Sequence, residues 1–276
     1  MKKSLFLLPL VALFCACSSN EEPSARSHQA TVHLHFYAYE MEPLTKGTAA
    51  VSDYCTRLDI WLSDGTTTTA YSQVNEDAGF GSLNVELDKT KTYTLYAVAH
   101  KCTSSATLAD GVISFPDDKV THTMYATATF SPSTTTAVDL TMQRIVAQLR
   151  LETTDAVPAA AKKIHFTVSG VYNKWNVSSG PYNQLDRTSV VNITSTNNDG
   201  TATFVVYAIV GNSQTLHNVT IEALDANDAV LQSRTFTDVP LRAGYKTTYR
   251  GPFFIDTPVT AAFTCDDWEE YAVINF

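Results

Sequence analysis

Apolar and polar residues alternate along most of the chain. Val32, Leu34 and Phe36 occupy every second position of one segment, and residues 58–62 repeat the pattern. A period of two places successive side chains on opposite faces of a β-strand. About fifteen such segments, with turn-forming residues every 8 to 12 positions, predict an all-β protein built from β-sandwiches.

Few segments favour any other structure. Residues 157–163 have the one helical pattern, and Pro158 suits the first turn of a helix. Residues 66–69 and 133–136, rich in Thr and Ser, are predicted as exposed loops. The longest predicted loop is 171–189, and a last strand is expected at 272–276.

A domain boundary is predicted near Thr141, where the apolar segment 138–142 runs almost directly into the segment 144–151. Without residues 1–16, 260 of the 276 residues remain, which exceeds the common size of one hydrophobic core. We therefore expect an N-terminal β-sandwich over 30–141 and a C-terminal β-sandwich over 142–276.

The N-terminus has the features of an export signal. Lys2 and Lys3 precede an apolar run over residues 5–14, which is shorter than the about 20 residues that span a bilayer. Residues 13–17, Leu-Phe-Cys-Ala-Cys, resemble the bacterial lipobox, which implies that 1–16 are removed and that Cys17 is acylated. Residues 17–29 would form a flexible tether. An ordinary cleaved signal peptide is the alternative.

Net charge limits the classes of molecule that could bind, and the cysteine content allows a disulfide. Loss of Lys2 and Lys3 with the signal reduces the 19 basic residues to 17 against 28 acidic ones, a formal charge of −11. Such an acidic chain makes nucleic acid an unsuitable partner. An oxidising compartment would allow one disulfide, for which Cys55 and Cys102 are the nearer pair, although spacing does not determine the pairing.

No motif for catalysis or cofactor binding is present. The sequence contains no Gly-rich phosphate loop, no H-E-x-x-H and no G-x-S-x-G. His33 and His35 share a strand face but have no third ligand nearby in sequence, and the acidic group around Trp268 fits either a Ca²⁺ site or a solvated turn. We predict a binding protein, not an enzyme, without cofactor or metal.

Aromatic residues provide the candidate contact surface. Tyr172, Trp175 and Tyr182 fall in the predicted loop 171–189. They could stack on sugars or pack on a partner protein, or Trp175 could cover the edge of its own sandwich. A surface glycan-binding lipoprotein and a tip adhesin are therefore alternatives to be weighed.

Three segments resemble the fimbrillin-related lipoproteins of Bacteroidota, particularly the FimB-type anchor and accessory subunits of type V fimbriae. They are residues 91–100, 138–149 and 241–251. The resemblance implies two tandem transthyretin-like β-sandwich domains and a role in fimbrial assembly and cell adhesion through strand-mediated contacts with other fimbrial subunits. Residues 18–22 also look like the signal that sends such lipoproteins to the outer face of the outer membrane, where host protein or glycan would be within reach.

The resemblance also raises the question of processing. Polymer-forming subunits of these fimbriae are cut after a basic residue near the end of the first strand, and Lys46 occupies that place. Lys replaces the expected Arg there, and Arg57 falls inside a predicted strand. We therefore expect an uncut, anchor-type or accessory subunit.

The lipid anchor is directly testable. Replacing Cys17→Ala should abolish acylation, so that the mature protein moves from the detergent phase to the aqueous phase in a phase-partition experiment. Each buried methylene of an acyl chain contributes about 0.8 kcal/mol, so the shift should be complete. A Cys15→Ala variant is the control and should remain in the detergent phase; acylation that survives in the Cys17 variant would contradict the assignment.

Overall fold

The computed structural model describes residues 28–41, 46–255 and 263–267, and these residues are almost entirely β-structure. Two 3₁₀ turns, Val51–Asp53 and Pro116–Asp118, are the helical elements found there. The strands are β1 Gln29–Met41, β2 Lys46–Ala50, β3 Arg57–Ser63, β4 Thr68–Val74, β5 Ser82–Asp88, β6 Tyr93–His100, β7 Thr107–Ala109, β8 Val112–Ser114, β9 Met124–Phe130, β10 Ala137–Arg144, β11 Val146–Thr153, β12 Lys163–Asn176, β13 Gly180–Asn192, β14 Thr203–Ile209, β15 Thr215–Leu224, β16 Val230–Leu241, β17 Tyr245–Gly251 and β18 Phe263–Asp267. The all-β prediction is confirmed.

The first sheet has the order β2-β1-β10-β9-β6-β3-β4, with β5 also paired to β1. β1 runs parallel to β10 in the register His33↔Ala137 to Ala38↔Met142. β10 then changes partner, because its last two residues pair with β9. The strand therefore passes from one layer to the other, and Leu34 shares a buried cluster with Ile60 of β3.

The second sheet has the order β16-β15-β12-β14-β11-β17-β18, with β13 and β8 also paired to β12. In the described chain, β12 and β14 pair at a single position, Tyr172↔Ile209. This corner separates two layers, and the core lies between them: Phe166 of β12 and Ile221 of β15 share a cluster with Leu149 of β11.

A third apolar cluster connects the two sheets. It contains Trp61 and Val98 from the first sheet and Ile209 from the second, together with Ile145 between β10 and β11. β8 strengthens this connection, because it precedes β9 in sequence but pairs with β12 of the second sheet. The predicted boundary after Thr141 falls inside β10. The division into two domains stays a prediction.

Three local predictions are corrected by the structure. The predicted helix over 157–163 is absent: the Ala161 N–H donates to the Pro158 carbonyl at 2.9 Å in a single turn, and β12 begins at Lys163. Residues 171–189 form the hairpin of β12 and β13, not a loop. Residues 68–69 begin the exposed strand β4. Pairing with a neighbouring strand outweighed local composition in the last two cases. The predicted strand 272–276 lies outside the described residues.

Where the chain is described, no helix is both long enough and apolar enough to cross a bilayer.

The buried face of β1 should be essential for stability. Leu34 is fully buried in the first core, so Leu34→Ala should lower the free energy of unfolding by about 3 kcal/mol. Val190 is 55% exposed on β13, so Val190→Ala is the matched control and should change stability by less than about 0.5 kcal/mol. Urea unfolding of both variants provides the comparison, and equal losses would contradict the assigned burial.

Candidate functional site

The hairpin of β12 and β13 carries the three aromatic residues of the predicted contact surface. Its tight turn is held by Asn176, whose side-chain oxygen accepts from the Ser178 N–H at 2.9 Å and the Ser179 N–H at 3.0 Å. Gly180 follows with a φ of +89°, a conformation that glycine adopts without steric cost. The sequence thus makes a hairpin where a loop was expected.

Strand register places the three aromatic residues on two faces. Tyr172 is opposite Gln184 and Lys174 is opposite Tyr182, while Trp175 is opposite Pro181. Directly opposite residues share a face and successive residues alternate. Tyr172 and Tyr182 therefore lie on one face of the hairpin, and Trp175 lies on the other.

Trp175 packs against its own molecule. Its ring centroid lies 5.4 Å from that of Tyr125, and a Cβ added at Gly180 would lie 3.6 Å from the indole. Both contacts place the indole over the turn and the cluster between the sheets. Trp175 of the second sheet therefore contacts Tyr125 of the first sheet, and whether it also binds a ligand stays a prediction. Tyr182 is 48% exposed, and Tyr172 is half-buried.

A cleft of about 500 Å³ opens beside Tyr172, where two adjacent strands are irregular. The register of β12 shifts between Val168 and Val171, and that of β15 shifts between His217 and Val219. Such bulges re-aim side chains and are common beside binding sites. The cleft is lined by Ser169, Gly170, Tyr172, Ser179, Pro181, Gln184, Val210, Gly211, Thr215, Leu216 and His217. We call it the hairpin cleft.

Hydrogen bonds fix the floor of the hairpin cleft. The Asn218 N–H donates to Ser169 Oγ at 2.9 Å, which ties the two bulges together. His217 Nδ1 lies 2.7 Å from the Ser169 carbonyl, so this nitrogen carries the hydrogen. His217 Nε2 lies 2.7 Å from Thr215 Oγ1, so both ring nitrogens have hydrogen-bond partners.

The structure also brings together a buried pair that the sequence did not reveal. His100 Nε2 lies 2.8 Å from Asp59 Oδ2, and both residues are almost fully buried. The Cys102 N–H donates to His100 Nδ1 at 3.1 Å, so Nε2 is the donor toward Asp59. Burial alone would raise the pKa of Asp59, but hydrogen bonds from His100, Ser72 and the Ala106 N–H outweigh it and lower the pKa.

Cys55 and Cys102 are buried free thiols in the structure. Cys55 Sγ donates to the His122 carbonyl at 3.8 Å, and Cys102 Sγ donates to the Lys119 carbonyl at 3.3 Å. Burial raises the pKa of Cys55 to about 12, which makes it a poor nucleophile.

A second polar cluster lies between the sheets. Arg144 Nε donates to His122 Nε2 at 3.0 Å, and its guanidinium lies 4.9 Å from the centre of the Tyr54 ring. The His122 ring stacks on Tyr207 of β14 at 5.9 Å. Burial first, and then the Arg144 charge, lower the pKa of His122 to about 3, so this contact is made by a neutral ring.

The other candidates are distributed over the fold. His33 contacts Asn84 at 2.7 Å and His35 contacts Ser82 at 3.2 Å, and no group of three metal-ligating side chains occurs in the described ranges. Lys46 is the first residue of β2. Cys17, the residues around Trp268 and the signal peptide lie outside the described residues, and the side chains of residues 266–267 are likewise undescribed.

Two signals in the sequence pointed to the missed features. Asp59 interrupts the apolar run of residues 58–62, and an acid inside a strand that is buried on both faces needs donors. Gly170 interrupts the long strand β12, which is the usual mark of a bulge. Neither signal shows which residue, distant in the sequence, lies next to Asp59 or Gly170 in the fold.

The Asp59 pair should make stability dependent on pH. Because the pKa of Asp59 is lowered in the folded state, its ionised carboxylate stabilises the fold at pH values above the ordinary Asp pKa of about 4. This contribution is lost as the pH falls below that value. Asp59→Asn should cost about 3 kcal/mol at pH 7 and flatten the acid limb of the stability curve. Asp139→Asn, at an exposed position of β10, is the control for denaturant unfolding across pH; matching acid limbs in wild type and Asp59→Asn would refute the assignment.

Comparison with solved structures shows the fold. A candidate adhesin from Bacteroides ovatus aligns with a TM-score of 0.52 and 12% identity, covering 88% of this chain and 96% of that chain. Candidate polysaccharide-binding proteins (DUF1812) from Bacteroides thetaiotaomicron align with a TM-score of 0.50 and 9% identity over 80% and 91% of the two chains. The fimbrial anchor protein Mfa2 from Porphyromonas gingivalis aligns with a TM-score of 0.49 and 11% identity over 86% and 97%.

No curated protein matches the chain by sequence. A family of unknown function, DUF6562, matches residues 23–266, which is most of the chain. With nearly all of the described fold inside the matched region, this protein is a member of the DUF6562 family.

Proposed function

We propose that this protein is a lipid-anchored cell-surface subunit of a fimbria, of the anchor or accessory type, that acts in assembly and adhesion through strand-mediated contacts. The observation that carries the proposal is the position of β1. This first strand pairs with β10 on one side and with β5 and β2 on the other. An N-terminal strand so placed ties the lipid-bearing end of the chain into the fold.

Removal of β1 would be costly. A cut after Lys46 would take away Val32 and Leu34, both fully buried, and uncover Val85 of β5 and Leu140 of β10. A subunit that keeps β1 needs no donated strand at this place. The core that β1 covers therefore stays closed if the chain is uncut, as the proposed anchor or accessory role requires.

Open strand edges supply the contact surface for other subunits. β13 pairs with β12 along one side, and no described strand pairs with its other side. The strand has 13 residues, and Val190 on it is 55% exposed. Unpaired N–H and C=O groups along such an edge bind an extended strand of another chain.

Two observations support a surface location. The N-terminus has export and lipobox features, and the fold is similar to that of a candidate adhesin from Bacteroides ovatus.

The buried polar pairs favour a binding function over catalysis. His100 and Asp59 are buried and engaged with each other, and His122 is stacked within the protein. Both imidazoles are buried, so neither is accessible to a substrate.

One preparation from outer membranes of the native host tests the proposal. The mature protein should begin at an acylated Cys17, retain residues 29–41 by mass spectrometry, and co-purify with at least one fimbrillin-like chain. A Lys46→Ala variant is the matched control and should have the same N-terminus and the same partner. A mature chain that starts at Gly47 without lipid, or a protein that purifies with no fimbrial subunit, would reject the anchor-type role.

A further inference from the structure

The hairpin cleft has the chemistry of a site for a neutral ligand. Its lining contains no Asp, Glu, Lys or Arg. The cleft of about 400 Å³ between the sheets differs in this respect, because its walls include Asp139 and Arg144. A charged ligand would find no opposite charge in the hairpin cleft.

The polar groups of the hairpin cleft divide into a fixed set and a free set. Gln184 Nε2 donates to the Gly170 carbonyl at 2.8 Å, which orients the amide and leaves its Oε1 without a partner among the described residues. The hydroxyls of Tyr172 and Ser179 likewise make no hydrogen bond within the described part of the chain. Among the lining residues, one oriented acceptor and two hydroxyls, which both donate and accept, therefore keep hydrogen-bonding capacity for a ligand.

Apolar surface lies beside these groups. Leu216 is 60% exposed at the cleft and is the most exposed of the large apolar residues in the described chain. The Tyr172 ring packs partly on the apolar cluster between the sheets, yet it stacks on no other described aromatic ring. Polar groups beside a half-buried aromatic ring and an exposed leucine match a sugar, which presents hydroxyls at its edge and C–H groups on its face.

We propose that the hairpin cleft binds a neutral saccharide, with Tyr172 contacting the face of one sugar ring, Gln184 Oε1 accepting from a sugar hydroxyl, and Leu216 contacting its C–H groups. The volume of about 500 Å³ lies within the range of small-molecule sites and accommodates about one or two sugar rings. The two bulges act as the positioning elements. Gly170 allows the close approach of Gln184, because a Cβ there would lie 3.3 Å from Gln184 Nε2.

This binding function is independent of the role in assembly. Tyr172 lies on β12 and Gln184 on β13, and replacing either side chain leaves in place the backbone edge of β13 that subunit contacts would use. Loss of sugar binding therefore leaves co-purification with fimbrial chains unchanged, and the two proposals fail separately.

The test uses the full mature chain with the Cys17→Ala substitution. This variant carries no acyl chain on residue 17 and therefore needs no detergent. The probes are maltotriose, cellotriose, laminaritriose and N-acetyllactosamine, with sialyllactose and trigalacturonate as acidic comparators. Saturation-transfer NMR and titration calorimetry measure binding. At least one neutral probe should bind, and Tyr172→Ala and Gln184→Ala should each weaken its affinity about tenfold, or 1.4 kcal/mol.

Tyr182→Ala is the matched control, because Tyr182 is exposed on the same hairpin but outside the cleft; its affinity should stay within about twofold of wild type. If Tyr172→Ala lowers the melting temperature sharply, Gln184→Ala alone decides. Absence of binding to every neutral probe, tighter binding of the acidic ones, or unchanged affinity in the cleft variants overturns the proposal.

Discussion

The fold depends on a pairing between the first strand and a strand about a hundred residues later in the chain. β1 and β10 form a parallel ladder, and parallel neighbours require a long connection between them. All of β3 to β9 lies in that connection, so the first core closes only when its two ends meet. Leu34 of β1 and Leu140 of β10 then pack in one buried cluster with Ile60 of β3. The N-terminal strand is thus an internal part of the sheet.

β10 also links this core to the second sheet. After six residues beside β1 it pairs with β9, and β11 begins two residues after β10 ends. So short a joint brings Ile145 into the cluster that holds Trp61 and Ile209. The stack of His122 on Tyr207 adds a polar contact made by a neutral ring.

The two proposed interaction surfaces lie where regular strand pairing stops. The edge of β13 is open because β12 pairs with it on one side alone among the described strands. The hairpin cleft exists because β12 and β15 are both bulged at neighbouring positions. The buried titratable pair of Asp59 and His100, by contrast, is enclosed and satisfied. The structure therefore offers backbone edges and an uncharged cleft, which are features of binding.

Local sequence alone determined the strand content, because alternation in a segment such as 32–36 depends only on which face of that segment is buried. It also predicts an export signal, from the charge and the apolar run of residues 2–14. Tertiary structure decided the rest. Polar residues 68–74 became β4, and 171–189 became a hairpin, because each had a neighbouring strand to pair with. The separation of Trp175 from Tyr172 and the meeting of Asp59 with His100 depend on register, which joins residues distant in sequence and leaves no local trace.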